Sequence, residues 1–196
     1  MSSQDKASSS DRLLLAAIDL VSERGYNGVT TQEIATAAGL SEKTLFRHFG
    51  SKQNLLEAAF DRFHYTEEMK KLFSEKLTFD LHADLLLISR MYHGIMNRNR
   101  KMIMISIKEE GSLPGFRERT QKHPQQLMEI LTHYFTDMAE KGKLLPTNPK
   151  LQAFTFLMLN FGIFMNNLEA EGNFPDMTLE EVLQESVAIF ARALAP

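Results

Sequence analysis

Cysteine is absent from this 196-residue chain, which excludes disulfides, thiolate catalysis and cysteine-based zinc sites. No apolar run is long enough to cross a bilayer, and Met1–Ser10 are polar and serine-rich, without the apolar stretch of a signal peptide. A cytoplasmic protein with no membrane partner is expected. There is no excess of positive charge either: the net charge is −3. Within Met1–Tyr65, seven Lys and Arg stand against eight Asp and Glu. Any affinity for nucleic acid must therefore come from where the cations sit, not from how many there are. Also missing are a phosphate-binding glycine loop, a nucleophile elbow and any pair of histidines four residues apart. Asp80, His82 and Asp84 lie close in sequence, but on a helix the two aspartates share a face that His82 does not. No enzyme activity, metal or cofactor is expected.

What is present describes an ordinary globular protein. Hydrophobic residues make up 43% and charged residues 24% of the chain, enough for a sizeable core. The punctuation is helical throughout, with no repeats and no strand-like alternation. Leu14, Ala17, Ile18 and Val21 recur at helical spacing after Ser9, Ser10 and Asp11, and Gly25 closes that helix. Thr30 and Glu33 form a capping box for a short helix ending at Gly39. Ser41 caps a second short helix through Phe49, and Ser51 opens a longer one through Phe63 to about Phe73. Longer helices follow over Leu81–Asn97, Arg100–Glu110, Phe116–Lys141, Pro149–Glu171 and Leu179–Ala195. Asn148 and Pro149 make a cap with proline in the first turn, Thr178 and Glu181 a second capping box. Pro124 is expected to kink or divide its helix.

The fold class is all-α. A flexible tail (1–10) is expected first, then a three-helix helix-turn-helix domain (11–50) extended by the start of a linking helix (51–74). A larger helical domain (75–196) follows. In the N-terminal domain Gly39 permits a sharp turn, Leu40 plugs the angle between helices and Ser41 caps the second one. With Leu45 and Phe49 turned inward, Lys43, Thr44, Arg47 and His48 face outward on a helix slim enough for the major groove. Lys52 adds a charge and free backbone N–H groups at the next helix start, where a phosphate docks well. By itself this turn fits a generic three-helix packing unit equally well.

The run LLLAAIDLVSERGYNGVTTQEIATAAGLSEKTLFRHFGSKQNLLEAAF, Leu13–Phe60, covers about a quarter of the chain. It resembles the DNA-binding domain of the TetR/AcrR family of regulators. The motifs that carry the resemblance are RGYxGVTT from Arg24, IAxxAGLS from Ile34 and TLFRHFxSKxxLL from Thr44. The resemblance implies that Thr31 and Gln32 reach the phosphate backbone or a flanking base. It implies that Ser41, Glu42, Lys43 and Thr44 start the recognition helix, and that His48 and Lys52 touch the backbone. Phe46 departs from the pattern, since many relatives carry a tyrosine whose hydroxyl bonds a phosphate; losing that bond costs about 1 kcal/mol. Arg47 suits either a guanine edge or a phosphate.

A single reader helix covers few base pairs, so such proteins usually dimerise on palindromic half-sites. Two apolar sides mark each of the last two helices. The first carries Phe154, Leu157, Phe161, Phe164, Met165 and Leu168 on one side, with Phe156, Leu159 and Ile163 on another. The last carries Leu183, Val187, Phe190 and Leu194, and opposite them Val182, Ile189 and Ala193. A helix apolar on two sides must be covered twice. A central helix of a monomer explains the first of these equally well, but a terminal helix poorly. The resemblance implies a homodimer through these helices, and the expected interface is Phe156, Leu159, Ile163, Val182, Leu183, Ile189 and Phe190. It also implies a small effector of apolar or amphipathic character held among the central helices. The expected lining is Met91, His93, Met102, Met128, Phe154, Asn160, Phe161 and Phe164, with Asn166 and Asn167 as further polar anchors. The function expected is a sequence-specific, DNA-binding transcription regulator, a repressor released by its effector. The alternative is a helical dimeric interaction protein that keeps the scaffold but has lost its grip on DNA.

Overall fold

A computed structural model describes residues 8–62, 66–109, 111, 115–168 and 177–196. Among them are ten helices and no strand: α1 (Ser9–Arg24), α2 (Thr31–Ala37), α3 (Glu42–Phe49), α4 (Lys52–Arg62), α5 (Thr66–Glu75), α6 (Leu81–Arg98), α7 (Arg100–Lys108), α8 (Phe116–Glu140), α9 (Pro149–Leu168) and α10 (Leu179–Leu194). Of the helix expected from Ser51 to about Phe73, the described parts are α4 and the start of α5, and residues 63–65 between them lie outside the described residues. Residues 1–7 of the tail expected over 1–10, Phe63, the helix ends expected at Glu110 and Glu171, and the Asn167 and Leu168 side chains lie outside the described residues, whereas Ser8 caps α1 and Ser9 and Ser10 begin it. None of the described helices is long and apolar enough to cross a membrane.

Helix starts follow the local signals. The Ser8 hydroxyl accepts from the Asp11 amide at 3.0 Å. Thr30 and Thr178 close the two capping boxes with Glu33 and Glu181. In the first box the Thr30 donors, together with Arg24, hold the Glu33 carboxyl down at about 2. The Asn148 side chain accepts from the Lys150 and Leu151 amides at 3.1 and 3.2 Å. Pro124 does not divide α8, which runs unbroken from Phe116 to Glu140. Phe116, Leu127 and Leu131 are buried on either side of it, and their packing outweighs the one backbone hydrogen bond that proline removes.

The chain forms two compact units, residues 1–64 with 99–121, and residues 65–98 with 122–196. In the first, Leu13, Ala17, Val21, Ile34, Leu45, Leu55 and Leu56 make a core to which the distant Met102, Ile105 and Phe116 also belong. The segment 99–121 is therefore part of the packing around α1–α4. Lys101 pairs with Asp19 at 2.6 Å, and Arg119 pairs with Glu57 at 3.1 Å and also with Asp61.

The second unit packs α6 against α9 and α10. Phe135, Phe156 and Phe190 gather their rings at 5.4–6.4 Å. One polar centre organises its start. Asp84 is buried, and its carboxylate accepts from the Thr78 and Phe79 amides (2.9 and 2.8 Å), the Thr78 hydroxyl (3.2 Å) and the Tyr134 hydroxyl (3.0 Å). These bonds hold the turn between α5 and α6, where Phe79 adopts φ 60° and its ring stacks on Tyr134. Burial and Asp84 together push the Tyr134 phenol well above its ordinary value. Asp84→Ala leaves these donors unpaired and should cost about 3 kcal/mol, against about 1 kcal/mol for Tyr134→Phe. Urea denaturation of the two variants checks the order; equal losses would contradict it.

Candidate nucleic-acid interface

The reader is built around one turn. Gly39 takes φ +64°, a conformation costly for any residue with a side chain. A Cβ there would stand 2.6 Å from a guanidinium nitrogen of Arg12. That guanidinium reaches across from α1 and donates to the Ala38 carbonyl, capping the end of α2. Beyond the turn, the Ser41 hydroxyl accepts from the Thr44 amide at 3.2 Å and lies 2.9 Å from the Thr44 hydroxyl. Leu45 is fully buried and Phe49 half-buried, so α3 is held to the body by these side chains. Thr31 donates its hydroxyl to Glu42 at 2.5 Å, tying the first turns of α2 and α3 together.

The opposite side of α3 is left to solvent. Lys43, Phe46, Arg47 and His48 are all exposed, Phe46 at 46%. Among the described residues, Lys43 and Arg47 have no ion pair or hydrogen bond. The neighbouring cations contrast sharply. Arg12 caps α2, Arg24 holds the Gly28 carbonyl and pairs with Glu33 at 2.9 Å, and Lys101 and Arg119 are paired as above. Lys43 and Arg47 thus stand as unpaired cations on α3. Gln32 is exposed on α2 beside it.

Lys52 is placed differently from the expectation. Its ammonium turns inward and donates to the Tyr26 and Val29 carbonyls, both at 2.7 Å, and sits 4.0 Å over the Tyr26 ring. Burial pulls it below the usual lysine pKa, although Glu109 and Glu33 oppose the shift. The Tyr26 amide donates in turn to Glu109 at 3.0 Å. In the same link a Cβ on Gly28 would collide with the Arg24 carbonyl oxygen at 2.3 Å. The RGYxG segment is therefore a knot fastened from α4 and α7. The Lys52 ammonium is thus engaged by this link and not free at the start of α4.

Several roles expected for the larger helical domain move. Met102 belongs to the core around α1 and not to a pocket among the central helices, because α7 docks on α1. Phe154 points outward and is 52% exposed, whereas Phe164 is fully buried. Met91, Met128 and Phe161 are half-buried. His93 and Asn160 are buried polar groups. Of the expected interface, Phe156 and Leu183 are buried in the unit's own core, and the half-buried Phe190 packs on Phe135 and Phe156. Leu159, Ile163, Val182 and Ile189 instead line an open groove of about 520 Å³ between α9 and α10. Ile189 is 60% exposed. Sequence reading missed Arg12 and Glu109, whose partners lie 26 and 83 residues away; no local pattern announces either.

The sequence signature of the bacterial regulatory proteins of the tetR family matches residues 13–59. The chain is 32% identical over 184 residues to the uncharacterized HTH-type transcriptional regulator YvkB of Bacillus subtilis (strain 168), spanning 94% of this chain and 96% of that one. It is 23% identical over 150 residues to IcaR of Staphylococcus aureus (strain Newman), the HTH-type negative transcriptional regulator of the biofilm operon icaADBC, spanning 76% and 79%. Its fold matches that of AibR, solved with isovaleryl coenzyme A and operator DNA, with a TM-score of 0.69 at 22% identity, over 93% and 97% of the chains.

The turn makes a direct prediction. Gly39→Ala should lower the unfolding free energy by about 1–2 kcal/mol, by forcing a side chain into the left-handed region and displacing Arg12. Urea denaturation measures it, and an unchanged midpoint would show that the turn does not depend on glycine.

Proposed function

We propose a function from one premise: the chain belongs to the TetR family of bacterial regulatory proteins. It is a dimeric, sequence-specific DNA-binding repressor that releases its operator when a small apolar or amphipathic effector binds. The observation that carries this reading is the contrast in charge. Lys43 and Arg47 stand exposed and unpaired on α3, while Arg12, Arg24, Lys52, Lys101 and Arg119 are engaged within their own unit. A cationic, exposed face on a slim helix suits a major groove, and two such helices in a dimer suit a palindrome. The negative regulator IcaR supports repression, and AibR, bound to both a coenzyme A thioester and operator DNA, supports control by an effector. With duplex DNA as its partner, the protein works in the cytoplasm.

On this reading Lys43 and Arg47 carry most of the base and phosphate contact, Thr44 and Gln32 add polar contacts, and Phe46 offers an apolar surface. Ser41, Thr31 and Glu42 position the helix. The effector acts by linkage: it lowers DNA affinity by the difference in its affinity for the two arrangements of the paired readers, and by no more. The partner chain covers the groove between α9 and α10. One observation favours the rival reading, an interaction protein without DNA: Phe46 has no hydroxyl with which to hold a phosphate.

Against a duplex recovered from a random pool, Lys43→Ala and Arg47→Ala should each weaken binding by roughly ten- to a hundredfold. Each lost phosphate contact should reduce the salt slope by about one. Fluorescence anisotropy across a salt series reads both; unchanged affinity in both variants favours the rival. Ile189→Lys should leave helical content intact and turn the dimer into monomers in sedimentation, with operator affinity falling in step. A dimer that survives Ile189→Lys would place the interface elsewhere.

A further inference from the structure

Among the described residues of the second unit, three of the buried polar side chains keep atoms without a hydrogen-bond partner. Ser89, His93 and Asn160 are 1%, 2% and 3% exposed. The Ser89 hydroxyl, both ring nitrogens of His93 and the Asn160 side-chain oxygen have no hydrogen-bond partner among the described residues. Buried polar atoms are nearly always paired, so each exception calls for a physical reason. Asp84, on the same helix α6, collects four donors, which shows that this fold completes the polar groups it uses for support.

The unpaired groups belong together. Ser89 and His93 are four residues apart on α6 and share a face. Asn160 comes from α9 and lies close enough to the His93 ring for a hydrogen-bonding interaction that favours the charged imidazole, although no bond of ordinary length and angle joins them; burial is the larger effect and brings the imidazole pKa down to about 4. The Asn160 amide nitrogen is already committed, donating to the Phe156 carbonyl at 2.9 Å, so its oxygen is left as an acceptor. Near neutral pH the imidazole is uncharged, with one N–H and one bare nitrogen. The cluster therefore offers a donor on His93, acceptors on His93 and Asn160, and a hydroxyl that does either. Apolar groups surround it. The Tyr92 ring packs edge-on to His93 at 5.5 Å, and Phe156 and Phe164, one turn to each side of Asn160, are buried.

We infer that Ser89, His93 and Asn160 recognise an uncharged head group that both donates and accepts hydrogen bonds, a hydroxyl or carboxamide, on an otherwise apolar ligand. The inference rests on the effector reading given above and narrows it. An ionised carboxylate only accepts; it would face the Asn160 oxygen and the bare imidazole nitrogen, with no buried lysine or arginine among the described residues to offset its desolvation. An ammonium would leave the His93 N–H unmatched and would find the Asp84 oxygens already occupied. A neutral hydroxyl or amide meets both kinds of group at once.

The test uses the full-length protein near neutral pH, with 1-octanol, octanamide and sodium octanoate as matched probes. Calorimetry gives their affinities, and ¹⁵N spectra of the histidine rings report contact, the His93 signals being identified by their loss in His93→Gln. Octanol and octanamide should bind and shift the His93 resonances, with octanoate at least about tenfold weaker. Ser89→Ala and Asn160→Leu should erase that preference. Octanoate binding as tightly as octanol overturns the inference; so does a His93 signal that no probe moves, the result expected if a buried water alone completes the cluster. The wild-type spectra decide the matter even if a variant fails to fold. Repeating the titrations with operator duplex separates the two readings. Probes that bind at His93 without releasing DNA leave this inference standing and defeat release by an effector.

Discussion

The reader's geometry hangs on the contact between Arg12 and the end of α2. A guanidinium from α1 donates to the Ala38 carbonyl, and only a glycine at position 39, at φ +64°, leaves room for it. The same contact closes the last turn of α2, sets the angle at which α3 departs and engages one of the unit's cations. Everything outward on α3 follows. Leu45 is drawn into the core formed with Leu13, Ala17 and Leu55, and the opposite side of that helix must carry Lys43 and Arg47 into solvent. A turn that opened differently would rotate those cations away from the surface they share with Gln32 and Thr44.

Pairing on the rest of this unit makes that exposure informative. Acidic and basic residues are nearly balanced over the first 65 positions, and the composition alone gives no reason to expect affinity for a polyanion. The fold separates the charges. Glu33 is taken up by Thr30 and Arg24, Glu42 by Thr31, Asp19 by Lys101, and Glu57 and Asp61 by Arg119. Such exposed contacts contribute little stability, but each of the ion pairs, Arg24 with Glu33, Lys101 with Asp19, and Arg119 with Glu57 and Asp61, weakens the field that its charges present to a ligand. The segment 99–121 supplies Lys101, Glu109 and Arg119, so it helps both to pack the reader and to shape its potential.

Local chemistry was legible in the amino-acid order. The capping boxes at Thr30 and Thr178, the cap at Ser41, the proline start at Pro149 and the inward Leu45 all depend on neighbours within four residues. They appear in the fold as expected. What could not be read depends on distant partners. Lys52 looks like any lysine at a helix start, and only the return of Tyr26 and Val29 beneath it turns it inward. Periodicity marks two apolar sides on α9 and α10 but does not say which faces the core; the aromatic cluster of Phe135, Phe156 and Phe190 decides that. Met102 joins the reader because α7 lies on α1, where Lys101 meets Asp19 across 82 residues of sequence. Ser89 carries no sequence signal at all, and its interest arises only from what surrounds it.

Because the chain has no cysteine, a single thiol reports on one place. The most direct measurement is the alkylation rate of the thiol introduced by Lys43→Cys, with and without saturating operator duplex, against a control at the exposed Asp137 made by Asp137→Cys. Protection by DNA at position 43, with none at 137, is the result expected if the outward side of α3 meets the duplex. Equal reactivity at position 43 in the bound and free protein would mean that DNA, if held at all, is held by another surface.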